Sequence, residues 1–184
     1  MSTSSPAIHV RLAEVRDVPA LRELIELSVR KLSNGYYTAA QIESALSNVF
    51  GVDTQLIHDQ TYFVAGVGEQ LVGCGGWSKR NTLFGGDQAK VGEVDHLINP
   101  DEAPARLRAF YVHPEWSRRG IGRWITQACE AAALASGFKR LELIATLPGE
   151  PLYAASGYEK IEPFEIPLPD GLSLPAFRMA KDLV

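Results

Sequence analysis

The stretch from Leu107 to Ala132 restricts what this chain can fold into more than any other. An alternating run, Leu107 to Val112, passes through Trp116-Ser-Arg-Arg-Gly-Ile-Gly-Arg-Trp-Ile125 into Ile121, Trp124, Ile125, Ala128, Cys129 and Ala132 at i, i+3, i+4 spacing. Period two gives way to period 3.6 across a basic, glycine-bearing loop, so the segment reads as strand, turn and amphipathic helix ending near Gly137. A helix that begins this way leaves its first backbone N–H groups unpaired and aligned, and its dipole adds positive potential there. Gly120 and Gly122 carry no Cβ to hold an anion off, and Arg118, Arg119 and Arg123 offer charge-assisted contacts. Phosphate is the natural partner of such a corner. The plain alternative is that the arginines solvate a helix start and the glycines only turn the chain.

Two familiar phosphate loops do not account for it. A P-loop needs Gly-x-x-x-x-Gly-Lys-Ser/Thr, and no such string exists here. A dinucleotide fingerprint needs a third glycine at 125, where Ile stands, and belongs after the first strand of a βαβ unit. The chain of 184 residues has a formal net charge of −4, which argues against a nucleic-acid surface and makes the basic corner local. Apolar residues at 46% and charged residues at 22% indicate an ordinary globular chain rather than disorder or a membrane span. Its length suits one domain over 7–184, with 1–6 as a flexible tail. Met1-Ser-Thr-Ser-Ser-Pro does not read as a secretory signal, so a cytoplasmic location is expected. Cys74 and Cys129 lack histidine partners at ligand spacing and read as reduced packing residues, and no metal site is expected.

Upstream, Ile8 to Leu12 alternates as a strand. Asp17 precedes Pro19, Leu21, Leu24, Ile25 and Val29, a capped amphipathic helix. Ser33-Asn-Gly-Tyr-Tyr breaks the chain, and Thr38 with Gln41 forms a capping box for a second helix. Thr61 to Ala65 and Gln70 to Trp77 read as a hairpin around Gly66-Val-Gly-Glu. Ser78 to Ala105 is a long connection in which Lys90 to Leu97 is the only candidate strand. Beyond the central helix come a strand at Lys139 to Ala145, a short helix at Glu150 to Ser156, and strands at Tyr158 to Ile166 and Leu174 to Met179.

Leu107-Arg-Ala-Phe-Tyr-Val-His-Pro-Glu-Trp-Ser-Arg-Arg-Gly-Ile-Gly-Arg resembles the acetyl-CoA-binding segment of the GNAT superfamily of N-acetyltransferases, a strand followed by Gln/Arg-x-x-Gly-x-Gly/Ala and a helix. Leu152-Tyr-Ala-Ala-Ser-Gly-Tyr resembles that family's Leu/Phe-Tyr-x-x-x-Gly-Phe/Tyr element, in the right order and about thirty residues on, in keeping with motifs needing their context. Ser117 departs from the family's Gln or Arg, and Thr146 stands where many members have Asn. The resemblance implies an α/β fold: a mixed, mostly antiparallel central sheet flanked by helices, with two splayed parallel strands, Leu107 to Val112 and Leu141 to Ala145, forming the acetyl-CoA cleft.

It also implies roles. The backbone of Phe110, Tyr111 and Val112 would pair with the pantetheine arm, and Arg118, Arg119, Gly120, Ile121, Gly122 and Arg123 would hold the diphosphate. Tyr153 would be the general acid toward the departing sulfur as a primary amine of a small molecule or peptide attacks directly. No base stands out: Glu93, Asp95 and His96 are explained as well by a solvated charge cluster, His113 reads as structural, Glu142 reads as a surface-facing strand carboxylate, and water suffices. Substrate selection is expected in Ser33 to Thr38 and Ser78 to Ala105, where Tyr36, Tyr37, Trp77 and Phe84 offer an aromatic lining, although packing explains each. A non-catalytic acyl-CoA sensor would use the same corner without a productive tyrosine. No nucleic acid or membrane partner is expected, and the resemblance brings homodimerisation within range.

Overall fold

Alternating apolar residues produce an antiparallel pair, β2 (Tyr62–Val67) and β3 (Gln70–Ser78), which turns at Gly68-Glu69. The computed structural model describes residues 7–90, 92 and 94–183. The tail expected over 1–6, and Glu93, lie outside the described residues. β3 is buried along most of its length, as a strand covered on both faces must be. β1 (His9–Leu12) pairs with β2, and β4 (Ala105–Val112) with β3, both antiparallel. β5 (Arg140–Thr146) lies parallel to β4, and β6 (Glu159–Pro167) and β7 (Ser173–Asp182) complete one sheet in the order β1-β2-β3-β4-β5-β7-β6.

Helices cover both faces. α1 (Val18–Leu32) buries Leu21, Leu24, Ile25 and Val29 against one face, joined there by α2 (Ala39–Asn48) and the short α3 (Thr54–His58). The Thr38–Gln41 box forms as the sequence indicates, with Gln41 N donating to Thr38 Oγ1 at 3.1 Å and Thr38 N to Gln41 Oε1 at 2.8 Å. Asp17 does not cap α1 with its side chain. A 3-10 turn over Val15–Asp17 leads into the helix instead, and the Asp17 carboxylate pairs with Arg11 at 2.7 Å and accepts from Glu14 N.

On the other face, α4 (Ile121–Ala135) buries Ile121, Ile125, Cys129 and Ala133. Trp124, placed on the apolar face by its spacing, is 44% exposed, because it stands at the rim of the stripe those four residues define. α5 (Glu150–Ala155) brings Tyr153 into the core on this side. Lys90–Leu97 forms no strand among its described residues. Only Leu97 pairs, as an isolated bridge to Arg80, and Asp95 instead accepts from Thr82 through backbone and hydroxyl.

The feature that positions the site is the parting of β4 from β5. They pair only at Ala105–Leu141 and Arg106–Glu142. Beyond that point Ala109 adopts φ 56°, and the β3–β4 register slips between Cys74 and Gly76. Such a bulge bends a strand and leaves ladder groups open. The β5-facing backbone from Leu107 onward therefore has no partner in β5, a vacancy that another extended segment can fill.

Candidate functional site

The gap between the two strands opens into a cleft of about 720 Å³. One wall is the backbone and side chains of Leu107 to Val112, and another is the start of α4, with Arg118, Gly120, Ile121, Gly122 and Arg123. The third comes from β5 and α5 through Ile144, Thr146, Pro151, Leu152 and Tyr153.

The start of α4 carries no side-chain cap. Gly120 occupies the N-cap position with φ 85°, a left-handed conformation that a side chain would strain. The first-turn N–H groups therefore lack protein acceptors and face the cleft end, where the macrodipole is positive. Arg118 is also left-handed, at φ 60°, a conformation that costs a non-glycine residue energy and that clusters at functional sites. At Gly122 the space for a Cβ is taken by Leu152, whose Cδ2 would lie 2.8 Å away, so α5 packs directly on the helix start. Arg119 does not line the cleft. Its guanidinium lies over the Trp116 ring, 4.8 Å from the centroid, leaving its side chain a packing role.

Tyr153 sits in the cleft wall, 8% exposed, with its ring edge-on to Phe110 at 5.9 Å and to Tyr158 at 5.9 Å. Burial pushes its phenol well above the ordinary range, the nearby Cys129 adding to the effect, so the group stays protonated. No hydrogen bond among the described residues engages that hydroxyl.

The remaining candidates separate cleanly. Ser33, Tyr36, Phe84 and Thr146 line the cleft. Tyr37 does not, because its hydroxyl donates to Pro175 O at 2.7 Å and accepts from Leu147 N at 2.9 Å, and Trp77 is core, edge-on to Phe138. His113 Nδ1 accepts from Glu115 N and caps a 3-10 turn. Glu142 does not face the surface as the sequence suggests: it is buried and tied by Arg106 at 3.0 Å and Arg178 at 2.7 Å. Asp95 and His96 are off the cleft wall, and no Asp, Glu or His contributes to it among the described residues. Both cysteines are free and buried, as packing residues are. The residue that sequence reasoning missed is Arg108, a buried charge on the cleft wall. Its signal was a charged side chain within the apolar run Leu107 to Val112.

A splayed strand pair, an uncapped helix start and a tyrosine with no hydrogen-bond partner among the described residues thus surround one cleft. The model of the acetyltransferase (GNAT) family matches residues 21–158, and the chain belongs to that family, in which acetyl-CoA is the acetyl donor. Solved structures agree in fold. A GCN5-related N-acetyltransferase from Rhodopseudomonas palustris superposes with TM-score 0.69 at 20% identity, covering 99% of this chain and 98% of that one. The PaiA N-acetyltransferase of Thermoplasma acidophilum in complex with coenzyme A gives 0.64 at 15% identity, covering 96% and 99%. YncA of Salmonella typhimurium, solved with its cofactor acetyl-CoA, gives 0.64 at 14% identity, covering 97% and 95%. No curated protein sequence matches the chain. No helix among the described residues is long and apolar enough to cross a membrane.

Proposed function

We propose that this protein moves the acetyl group of acetyl-CoA to a primary amine of a small molecule or peptide by direct attack. The observation that carries the reading is the placement of the open β4 edge, the uncapped start of α4 and Tyr153 around a single cleft. The residues present suit the donor. Backbone amides and carbonyls of Phe110, Tyr111 and Val112 would pair with the pantetheine arm in the manner of an added strand. The amides of Gly120 to Arg123, with the Arg118 and Arg123 side chains, would hold the diphosphate. Arg119 contributes through its backbone alone, given its stacking on Trp116.

Bound acetyl-CoA supplies an acetyl group activated as a thioester. Tyr153 then holds a proton for the sulfur, a role suited to a buried phenol that stays protonated. With no carboxylate or imidazole on the cleft wall among the described residues, the proton shed by the amine leaves through water. Selection of the amine falls to Ser33, Tyr36 and the segment around Phe84, which border the cleft.

Thiol release from acetyl-CoA across an amine panel, for wild type and Tyr153→Phe, tests the proposal. Amine-dependent release that falls by about 10²–10⁴ in the variant is expected for a lost general acid. Tight acetyl-CoA binding with no release for any amine would instead identify a sensor.

A further inference from the structure

Arg108 is 4% exposed yet stands on the cleft wall, one residue before the bulge at Ala109 and two before Phe110. Its surroundings do not use it up. Nη2 donates to the Gly85 carbonyl at 2.5 Å, while Nε and Nη1, both buried, have no acceptor. Asp53, itself wholly buried, comes within 2.7 Å of Nη2, but out of line for a hydrogen bond, so Asp53 Oδ2 also lacks a donor. Its other oxygen takes Lys90 Nζ at 2.5 Å. One carboxylate thus faces two cations, Arg108 buried and Lys90 partly exposed. A buried surplus of positive charge with unmade N–H bonds is costly unless a further anion answers it.

The rest of the wall sharpens the point. Among the described residues, the charged ones lining the cleft are Arg108, Arg118 and Arg123, and no carboxylate is among them. Arg118 and Arg123 flank the start of α4, where the diphosphate is placed. Arg108 instead donates to the Gly85 carbonyl, next to Phe84 in the segment to which selection of the amine is assigned. A polycationic acceptor finds no counter-charge there. An acceptor with its own anionic group does.

We infer that the acceptor amine carries a carboxylate and that Arg108 binds it, making amino acids or their small derivatives the substrate class. The inference rests on the acetyl-transfer reading above. Arginine suits the task because its planar, permanently charged head offers several N–H donors to one carboxylate. Position suits it too. Arg108 lies on the same strand as Phe110 to Val112, and consecutive Cα atoms are only about 3.8 Å apart, so anchor and transfer point fall within one small molecule. A purely structural Arg108, tying β4 to the loop before α3, would account for Asp53 and Gly85 but leaves Nε and Nη1 without purpose.

The experiment compares matched acceptors, free amino acids against their carboxamides, in thiol release from acetyl-CoA by wild type, Arg108→Lys and Arg108→Gln. In parallel, calorimetry on the coenzyme A-saturated protein compares N-acetylated amino acids with their amides. Wild type is expected to favour the acid by about tenfold or more, the worth of a charge-assisted hydrogen bond. Arg108→Gln should bring the ratio to about one, with acetyl-CoA affinity retained, and Arg108→Lys should keep part of it. Equal use of acid and amide by wild type, or a preference that survives in Arg108→Gln, overturns the assignment. Should Arg108→Gln fail to fold, the wild-type ratio and the Lys variant decide the matter. Absence of thiol release with every amine sinks acetyl transfer itself. The N-acetyl pair then still decides the anion site, equal binding of acid and amide overturning it.

Discussion

The Tyr62 hydroxyl, on β2, donates to the carbonyl of Ala109 on β4 at 3.0 Å, and so fastens the bulge that parts β4 from β5. Tyr62 is fully buried, and the Cys74 thiol lies 3.9 Å from the same carbonyl. A left-handed alanine is a strained residue, and such strain persists only where surrounding contacts hold it. The opening of the cleft therefore depends on a side chain two strands away from it.

Tyr62→Phe removes that donor and leaves the part-buried carbonyl only the weak Cys74 thiol, a change worth about 1 kcal/mol. A lower melting temperature and a several-fold weaker affinity for acetyl-CoA are expected, read by calorimetry. A variant that loses stability but binds the donor as wild type does would limit Tyr62 to packing.

Gly75 lies against the Phe110 ring, where an added Cβ would come within 2.7 Å. Gly75→Ala should push Phe110 off its edge-on contact with Tyr153, 5.9 Å between centroids, at the cost of overpacking, about 1–3 kcal/mol. Turnover is expected to fall more than stability does. Steady-state kinetics beside a urea titration separates the two.

Tyr153 has its phenol raised above the ordinary value by burial. An acid whose pKa is raised keeps its proton to higher pH, so the alkaline side of the kcat profile should show no loss of the acid up to about pH 10, the value of an exposed tyrosine. The rise at lower pH should instead follow deprotonation of the acceptor amine. A descending limb near neutrality, retained in Tyr153→Phe, would place the acid elsewhere.

Stability against acid should depend on Asp59. Its carboxyl is held below the usual carboxylate range chiefly by the hydrogen bonds from Arg80, at 2.7 and 3.0 Å. A group whose folded pKa is depressed contributes stability that is present above its unfolded pKa, about 3.9, and is lost as pH falls through the lower folded value. Urea midpoints at pH 7 and pH 3 are expected to diverge less in Asp59→Asn than in wild type. Equal divergence would assign the acid sensitivity to other carboxylates, Asp17 beside Arg11 among them.

Much of the fold was legible because its periodic segments are long. The central strand and helix, the Thr38–Gln41 box and the two last strands announce themselves through alternation, i, i+4 spacing and capping chemistry. α3 spans only Thr54–His58, too short to show a helical period, and Trp124 lay at the edge of an apolar stripe where spacing alone misleads. The positions of Gly120 and Tyr153 on the cleft wall follow from elements whose order the motifs indicate. The packing of Arg119 on Trp116, the tethering of Tyr37 by Pro175 and Leu147, and the burial of Arg108 beside Asp53 join residues far apart or side chains whose direction no local pattern records.

The placement of the donor is tested most directly by a crystal structure of the protein with coenzyme A. The account predicts diphosphate oxygens at hydrogen-bond distance, about 2.7–3.2 Å, from the amides of Ile121 to Arg123, with the pantetheine arm laid along Phe110 to Val112 between β4 and β5. A diphosphate bound away from the start of α4, or an arm running outside the β4–β5 gap, would contradict it.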